Sequence, residues 1–184
     1  MKKVPFYAIM TSLAFMAVSC SSDDNDPEEV LEQEVITTMT ITLTPSEGAA
    51  ITLQSRDLDG DGPNVPEINV SGPLTPGETY TGTIVLLNET ESPAEDITLE
   101  VTEKADEHQF FYGVSGGLDV TTEYTSFDSD QNPLGTAFSI TTGEVSSGSV
   151  LFTLRHEPKK PNDGSLADAG GETDIAVSFD LSIE

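Results

Sequence analysis

The chain has 184 residues, with 33 acidic side chains against seven basic ones and a formal net charge of −26. That balance argues against nucleic acid and anionic lipid headgroups as partners and favours a soluble, monomeric protein. A single cysteine and the absence of tryptophan exclude a disulfide framework, so stability has to come from an apolar core, with bound cations as one way to offset self-repulsion.

In chain order, the first element is a leader. Met1-Lys2-Lys3, an apolar run from Val4 to Val18 and then Ser19-Cys20 read as a lipoprotein signal peptide over residues 1–19, too short in its apolar part to span a bilayer comfortably. Ala17-Val18-Ser19-Cys20 resembles the bacterial lipobox and makes Cys20 the acylation site. Each buried methylene of an attached acyl chain contributes about 0.8 kcal/mol, so a triacylated cysteine predicts stable membrane attachment without crossing. Asp23-Asp24 resembles the export signal of surface lipoproteins from Bacteroidetes-type bacteria. The expected address is therefore the outer membrane, lipid-anchored, with the cell surface as its exposed face. Residues 20–34 read as an acidic flexible linker and 35–184 as one domain. Loss of Lys2 and Lys3 with the leader leaves five basic against 33 acidic side chains, a formal charge of −28.

From Val35 onward apolar residues alternate with polar ones at period two, bounded by Gly, Pro, Asn and Asp clusters, which predicts short half-buried strands. Val35–Thr44 places Met39, Ile41 and Leu43 on one face. Ala50–Arg56 is its return strand across Pro45–Gly48. Further strands are predicted over Glu67–Ser71, Thr79–Asn88, Asp96–Thr102, Gln109–Ser115, Leu118–Phe127, Gly135–Thr142, Ser147–His156 and Thr173–Ile183. The one stretch with some helical character, Ala94–Asp106, carries β-branched Ile97, Thr98, Val101 and Thr102 and is predicted to be strand. The expected fold is all-β, a single antiparallel β-sandwich of immunoglobulin-like architecture, with an up-and-down barrel as the alternative.

Two patterns in the domain suggest metal chemistry. Asp57, Asp59 and Asp61, followed by Gly62, set carboxylates at alternate positions on a tight turn, as calcium with its six to eight oxygen ligands requires. Ile68 stands where a calcium-binding hand would need a bidentate Glu, so other loops would have to complete the shell; Asp and Gly also favour such turns for backbone reasons alone. His108 and His156, the only histidines, each lie beside acidic residues. Brought together, they would suit zinc or copper. Gly113-Val-Ser115-Gly-Gly117 formally matches a hydrolase nucleophile pattern, but no helix is predicted after it, and that turn works only between a strand and a helix. No catalytic residues are assigned, and the chain is expected to be non-enzymatic.

Cys20 with its acidic leader, Arg56–Asn64, Leu87–Ile97, Asp106–Phe110, Leu154–Pro158 and Ala169–Asp174 together resemble a family of uncharacterised flavobacterial lipoproteins often labelled type 1 periplasmic binding fold superfamily proteins. The resemblance implies ligand binding at the cell envelope and names no reaction, ligand or site residue. Two functions are expected from these readings. One is a non-enzymatic envelope lipoprotein whose β-sandwich binds a ligand, a protein or a glycan, with structural calcium at the Asp57 loop. The other is an accessory lipoprotein of an outer-membrane transporter that captures zinc, copper or a metal complex through His108 and His156.

Overall fold

Alternation of buried and exposed residues governs the domain from its first strand. The computed structural model describes residues 34–60 and 62–184; the leader, Cys20, the acidic stretch through residue 33 and Asp61 lie outside the described residues. Strand β1 (Thr38–Thr44) buries Met39, Ile41 and Leu43 completely, the face its period-two pattern requires. It pairs antiparallel with β2 (Ile51–Arg56) on one side and β4 (Thr79–Asn88) on the other. With β3 (Glu67–Val70), the two-residue β5 (Glu95–Asp96), β7 (Val120–Tyr124) and β8 (Ala137–Thr142), they form a seven-stranded sheet ordered β3-β2-β1-β4-β8-β7, with β5 on β4. A second sheet has three strands in the order β10-β9-β6, namely β6 (His108–Ser115), β9 (Ser146–His156) and β10 (Glu172–Ile183). Two antiparallel sheets with a shared core make an all-β sandwich, as expected, rather than one closed barrel.

The core lies between the inner faces. Leu53, Ile84, Leu86, Phe138 and Ile140 come from the larger sheet, and Phe110, Val150, Phe152, Leu154, Phe179 and Leu181 from the smaller one. Aromatic rings meet across the gap, Tyr112 to Phe138 at 4.8 Å between centroids and Phe138 to Phe152 at 5.7 Å, and Phe152 continues to Phe179 within the smaller sheet at 6.0 Å. Such tilted and edge-on pairs add to the large areas these rings bury. Gly82, opposite Phe138 in the β4–β8 register, makes room for that ring, since a Cβ there would sit 2.4 Å from its Cζ.

The stretch predicted as strand over Asp96–Thr102 is instead helix α1 (Ile97–Glu103). Local chemistry outweighs β propensity here. The Asp96 carboxylate accepts from the Thr98 N–H and caps the helix, and Ile97 and Val101, four residues apart, are both buried. The sheet also needs this helix. β4 pairs with β8 over Thr79–Thr83 and with β5 only at Leu87 and Asn88, which leaves the edge at Leu86 unpaired. Thr98 Oγ1 fills that gap, accepting from Leu86 N–H at 2.8 Å and donating to Leu86 C=O at 3.3 Å. A second short helix, α2 (Leu166–Ala169), is capped by Ser165 in the connection from β9 to β10. Among the described residues no helix is long and apolar enough to cross a membrane.

Candidate metal centre

His108 and His156 stand directly opposite each other in the β6–β9 register, at the end of the smaller sheet where β6 begins and β9 finishes. Their rings meet edge to face, with centroids 4.8 Å apart and planes at 75°, and His108 Nε2 lies 3.0 Å from His156 Nδ1. The other nitrogen of His108 is committed. Its Nδ1 is 3.0 Å from the backbone oxygen of Lys104, the C-cap of α1. A carbonyl can only accept, so Nδ1 carries the proton and donates it, and the Nε2 lone pair accepts from the His156 Nδ1–H. A backbone carbonyl fixing a histidine tautomer in this way is the usual outer support of a metal-ligating imidazole.

Asp174 arrives through a defect in the sheet. Along β10 the pairing with β9 runs Thr173 to Arg155 and then Ile175 to Leu154, so Asp174 is an extra residue in a β-bulge. Strict alternation would put Asp174 on the face opposite Val177 and Phe179; the bulge re-aims it. Its Oδ2 is 3.9 Å from His108 Nε2, and one donor atom from each of His108, His156 and Asp174 lies within 4.8 Å of the others. The joint is tight: Gly171, at φ +70°, sits where a Cβ would come within 2.3 Å of the His156 carbonyl oxygen, so only glycine is accommodated.

Glu34 enters from the other side. It precedes β1, and its Oε1 lies 3.6 Å from His108 Nε2. The side chains of His108, Asp174 and Glu34 are 0, 3 and 8 % exposed. Glu34 Oε1 and Oε2 and Asp174 Oδ2 are buried with no hydrogen-bond partner among the described residues. Of the nearby cations, Lys160 is engaged with Asp128 and the Ala105 carbonyl, while Lys104 pairs with Glu100 and pulls on Glu34 only through space. The electrostatic consequence is strong. Burial, with Glu100 and Asp174 adding to it, pushes the Glu34 carboxyl up to about 7. Burial, reinforced by Glu172 against the opposing pull of His156, pushes Asp174 up to about 6. Burial also holds His108 below the ordinary imidazole value despite its bond to Lys104. Each shift favours the uncharged form, as expected of polar groups out of water and short of partners.

The donor set suits a borderline transition metal. Zinc binds imidazole nitrogen and carboxylate oxygen at roughly 2.0–2.2 Å in a tetrahedron, which puts neighbouring donors roughly 3.3 Å apart. The observed separations from His108 Nε2, 3.0, 3.6 and 3.9 Å, bracket that figure. A cleft of about 400 Å³ opens beside the cluster, lined by residues that include Glu34, Ile36, Asp57, Pro66, Asp174 and Val177.

The Asp57 loop is arranged differently. Asp59 Oδ2 accepts from Asn64 Nδ2 at 2.6 Å and from Asn64 N–H at 3.3 Å, and Gly62 N–H donates to the Asp59 carbonyl at 3.0 Å. Asp59 therefore closes the turn on itself. Asp57 donates its N–H to the Thr37 carbonyl at 2.7 Å, and its Oδ1 is buried without a partner among the described residues. It faces the cleft shared with Glu34 and Asp174 as well as the loop. Asp61 lies outside the described residues.

Ser115 closes β6 with its Oγ 3.2 Å from Ser149 Oγ. Strand rise puts it about 23 Å from His108 and His156, and Asp128 is held by Lys160 and Asn132, so no serine, histidine and aspartate converge. Sequence reading had named both histidines but had no route to Asp174, whose parity points it outward, or to Glu34, which falls in the stretch read as linker. No protein-family model, no curated protein and no solved structure matches this chain.

Proposed function

We propose that this protein is a lipid-anchored envelope protein whose β-sandwich binds a divalent transition metal, zinc or copper, through His108, His156 and Asp174. The observation that carries the reading is the pairing of His108 Nε2 and His156 Nδ1 at 3.0 Å, with the tautomer of His108 set by the Lys104 carbonyl and an unpartnered Asp174 oxygen beside them. Two imidazoles and a buried carboxylate without a cation form a site that binds a dication favourably and is costly to leave charged and empty. The leader and Cys20 support an envelope address, and capture of a metal on behalf of an outer-membrane transporter is the role that combines anchor and site. A second reading, structural calcium at the Asp57 loop, is favoured by one observation, the orphaned Asp57 Oδ1.

The test is thermal unfolding of the full chain, freed of metal by chelation and titrated with zinc, copper or calcium. A ligand at 100-fold its Kd adds about 2.7 kcal/mol, enough for a clear rise in melting temperature. The expected result is a rise with zinc or copper that His156→Ala removes. A rise with calcium alone, abolished by Asp57→Asn and untouched by His156→Ala, would support the second reading; no rise with any ion would refute both.

A further inference from the structure

We propose that Glu34 is the fourth ligand of the metal held by His108, His156 and Asp174, so that loading the site docks the segment leading into β1 onto the smaller sheet. The inference rests on the transition-metal reading above and extends it from binding to what binding does.

The chemistry begins with what faces Glu34. Both of its carboxylate oxygens are buried without a partner among the described residues, on a side chain only 8 % exposed. The polar atom it approaches is His108 Nε2, at 3.6 Å. That nitrogen has no proton to give in the neutral ring, because the proton is on Nδ1 and bonded to the Lys104 carbonyl. It accepts instead from His156 Nδ1 at 3.0 Å, so Glu34 meets an atom with no hydrogen to offer, and Asp174 Oδ2 meets the same atom at 3.9 Å. A dication bound among these groups displaces the proton that His156 Nδ1 donates to His108 Nε2 and neutralises the two carboxylates, whose Glu34 oxygens and Asp174 Oδ2 have no donor among the described residues. Four protein donors also complete the tetrahedral shell that zinc takes.

Topology gives the fourth ligand its consequence. His108, His156 and Asp174 all belong to the three-stranded sheet. Glu34 alone comes from the chain entering the seven-stranded sheet. Among the described residues, backbone hydrogen bonding of this lead-in begins at Thr37, whose N–H donates to Leu87 C=O at 3.0 Å. Val35 is 55 % exposed. Residues 34–36 are thus held by the packing of Ile36 against the core, with the Glu34 side chain buried beside it but unbonded among the described residues. A metal bound to Glu34 fastens the lead-in at the point where the chain arrives from the N-terminal side, and joins the two sheets at one end of the sandwich. Because binding and docking are linked, whatever pulls the lead-in away lowers metal affinity by the same factor that metal lowers its release.

The experiment compares the full native chain with Glu34→Gln and His156→Ala, using zinc alone as the probe. Affinity is read by competition with a chromogenic chelator, and docking by hydrogen exchange of the amides of residues 35–37. Glu34→Gln keeps the side-chain size, and its metal-free form should melt no lower than native. The expected result is a zinc affinity weaker by at least ~10-fold in Glu34→Gln, the scale seen even for outer-shell partners. Zinc should also slow exchange at residues 35–37 in the native chain and not in Glu34→Gln. Native affinity in Glu34→Gln, or no effect of zinc on those amides in the native chain, overturns this inference while leaving a site of His108, His156 and Asp174 intact. Failure of the native chain to bind zinc more tightly than His156→Ala overturns the inference together with the reading beneath it.

Discussion

At Glu34 the balance between proton and metal is set by burial. Its carboxyl is pushed up to about 7, from an ordinary 4.5, and Asp174 to about 6, from 3.8. An acid raised on folding contributes stability that is complete below its unfolded value and is lost as pH rises through the folded one. His108 is shifted the other way, below 6.5, so from pH 6.5 upward it opposes the carboxyls only by the remaining half-protonation of the unfolded imidazole, a smaller effect than the loss from Glu34. The metal-free protein should consequently melt at a lower temperature at about pH 8 than at about pH 6.5, as Glu34 ionises without a partner. Saturating zinc should reverse this, because the same ionisation creates the ligand. Melting curves at the two pH values, with and without zinc, check both signs. A metal-free protein that gains stability over this interval would show that Glu34 already has a cation.

Among the elements, α1 is the one whose side chains do the work of a missing strand. Thr98 Oγ1 both accepts from and donates to the backbone of Leu86 on β4, and the carbonyl that follows the helix, that of Lys104, orients His108. Thr98→Val keeps the shape and removes the hydroxyl, leaving a buried N–H and C=O unpaired at a cost of about 1–3 kcal/mol. Chemical denaturation should register that loss, and weaker zinc binding should accompany it as the Lys104 carbonyl loses its support. An unchanged denaturation midpoint would mean that water or a neighbouring group replaces the hydroxyl. This helix was also the element least legible in the sequence. Ile97, Thr98, Val101 and Thr102 are strand formers taken one at a time, and seven residues are too few for periodicity to overrule propensity. By contrast, β1 could be read directly: Met39, Ile41 and Leu43 alternate through a strand buried on one face, where register has little freedom.

For the molecule as a whole, the site lies where two kinds of information meet, only one of which is local. Each histidine could be picked out by its acidic neighbours. That they face each other follows from the pairing of β6 with β9 across 48 residues of chain, and that Asp174 joins them follows from a one-residue bulge, neither of which periodicity encodes. The same long-range assembly brings the segment before β1 against the opposite sheet. In an acidic chain of formal charge −26, the buried carboxylates of Glu34 and Asp174 add to a charge already in excess, and a bound dication would relieve it where burial makes it most costly. The most direct test is the metal content of the full chain, measured by elemental mass spectrometry after equilibration with zinc, copper and calcium together and removal of free ions. The predicted result is one zinc or copper per chain, absent from the His108→Ala, His156→Ala double variant. A native chain that retains neither metal, or a double variant that retains as much as the native chain, would contradict the assignment of these histidines as ligands.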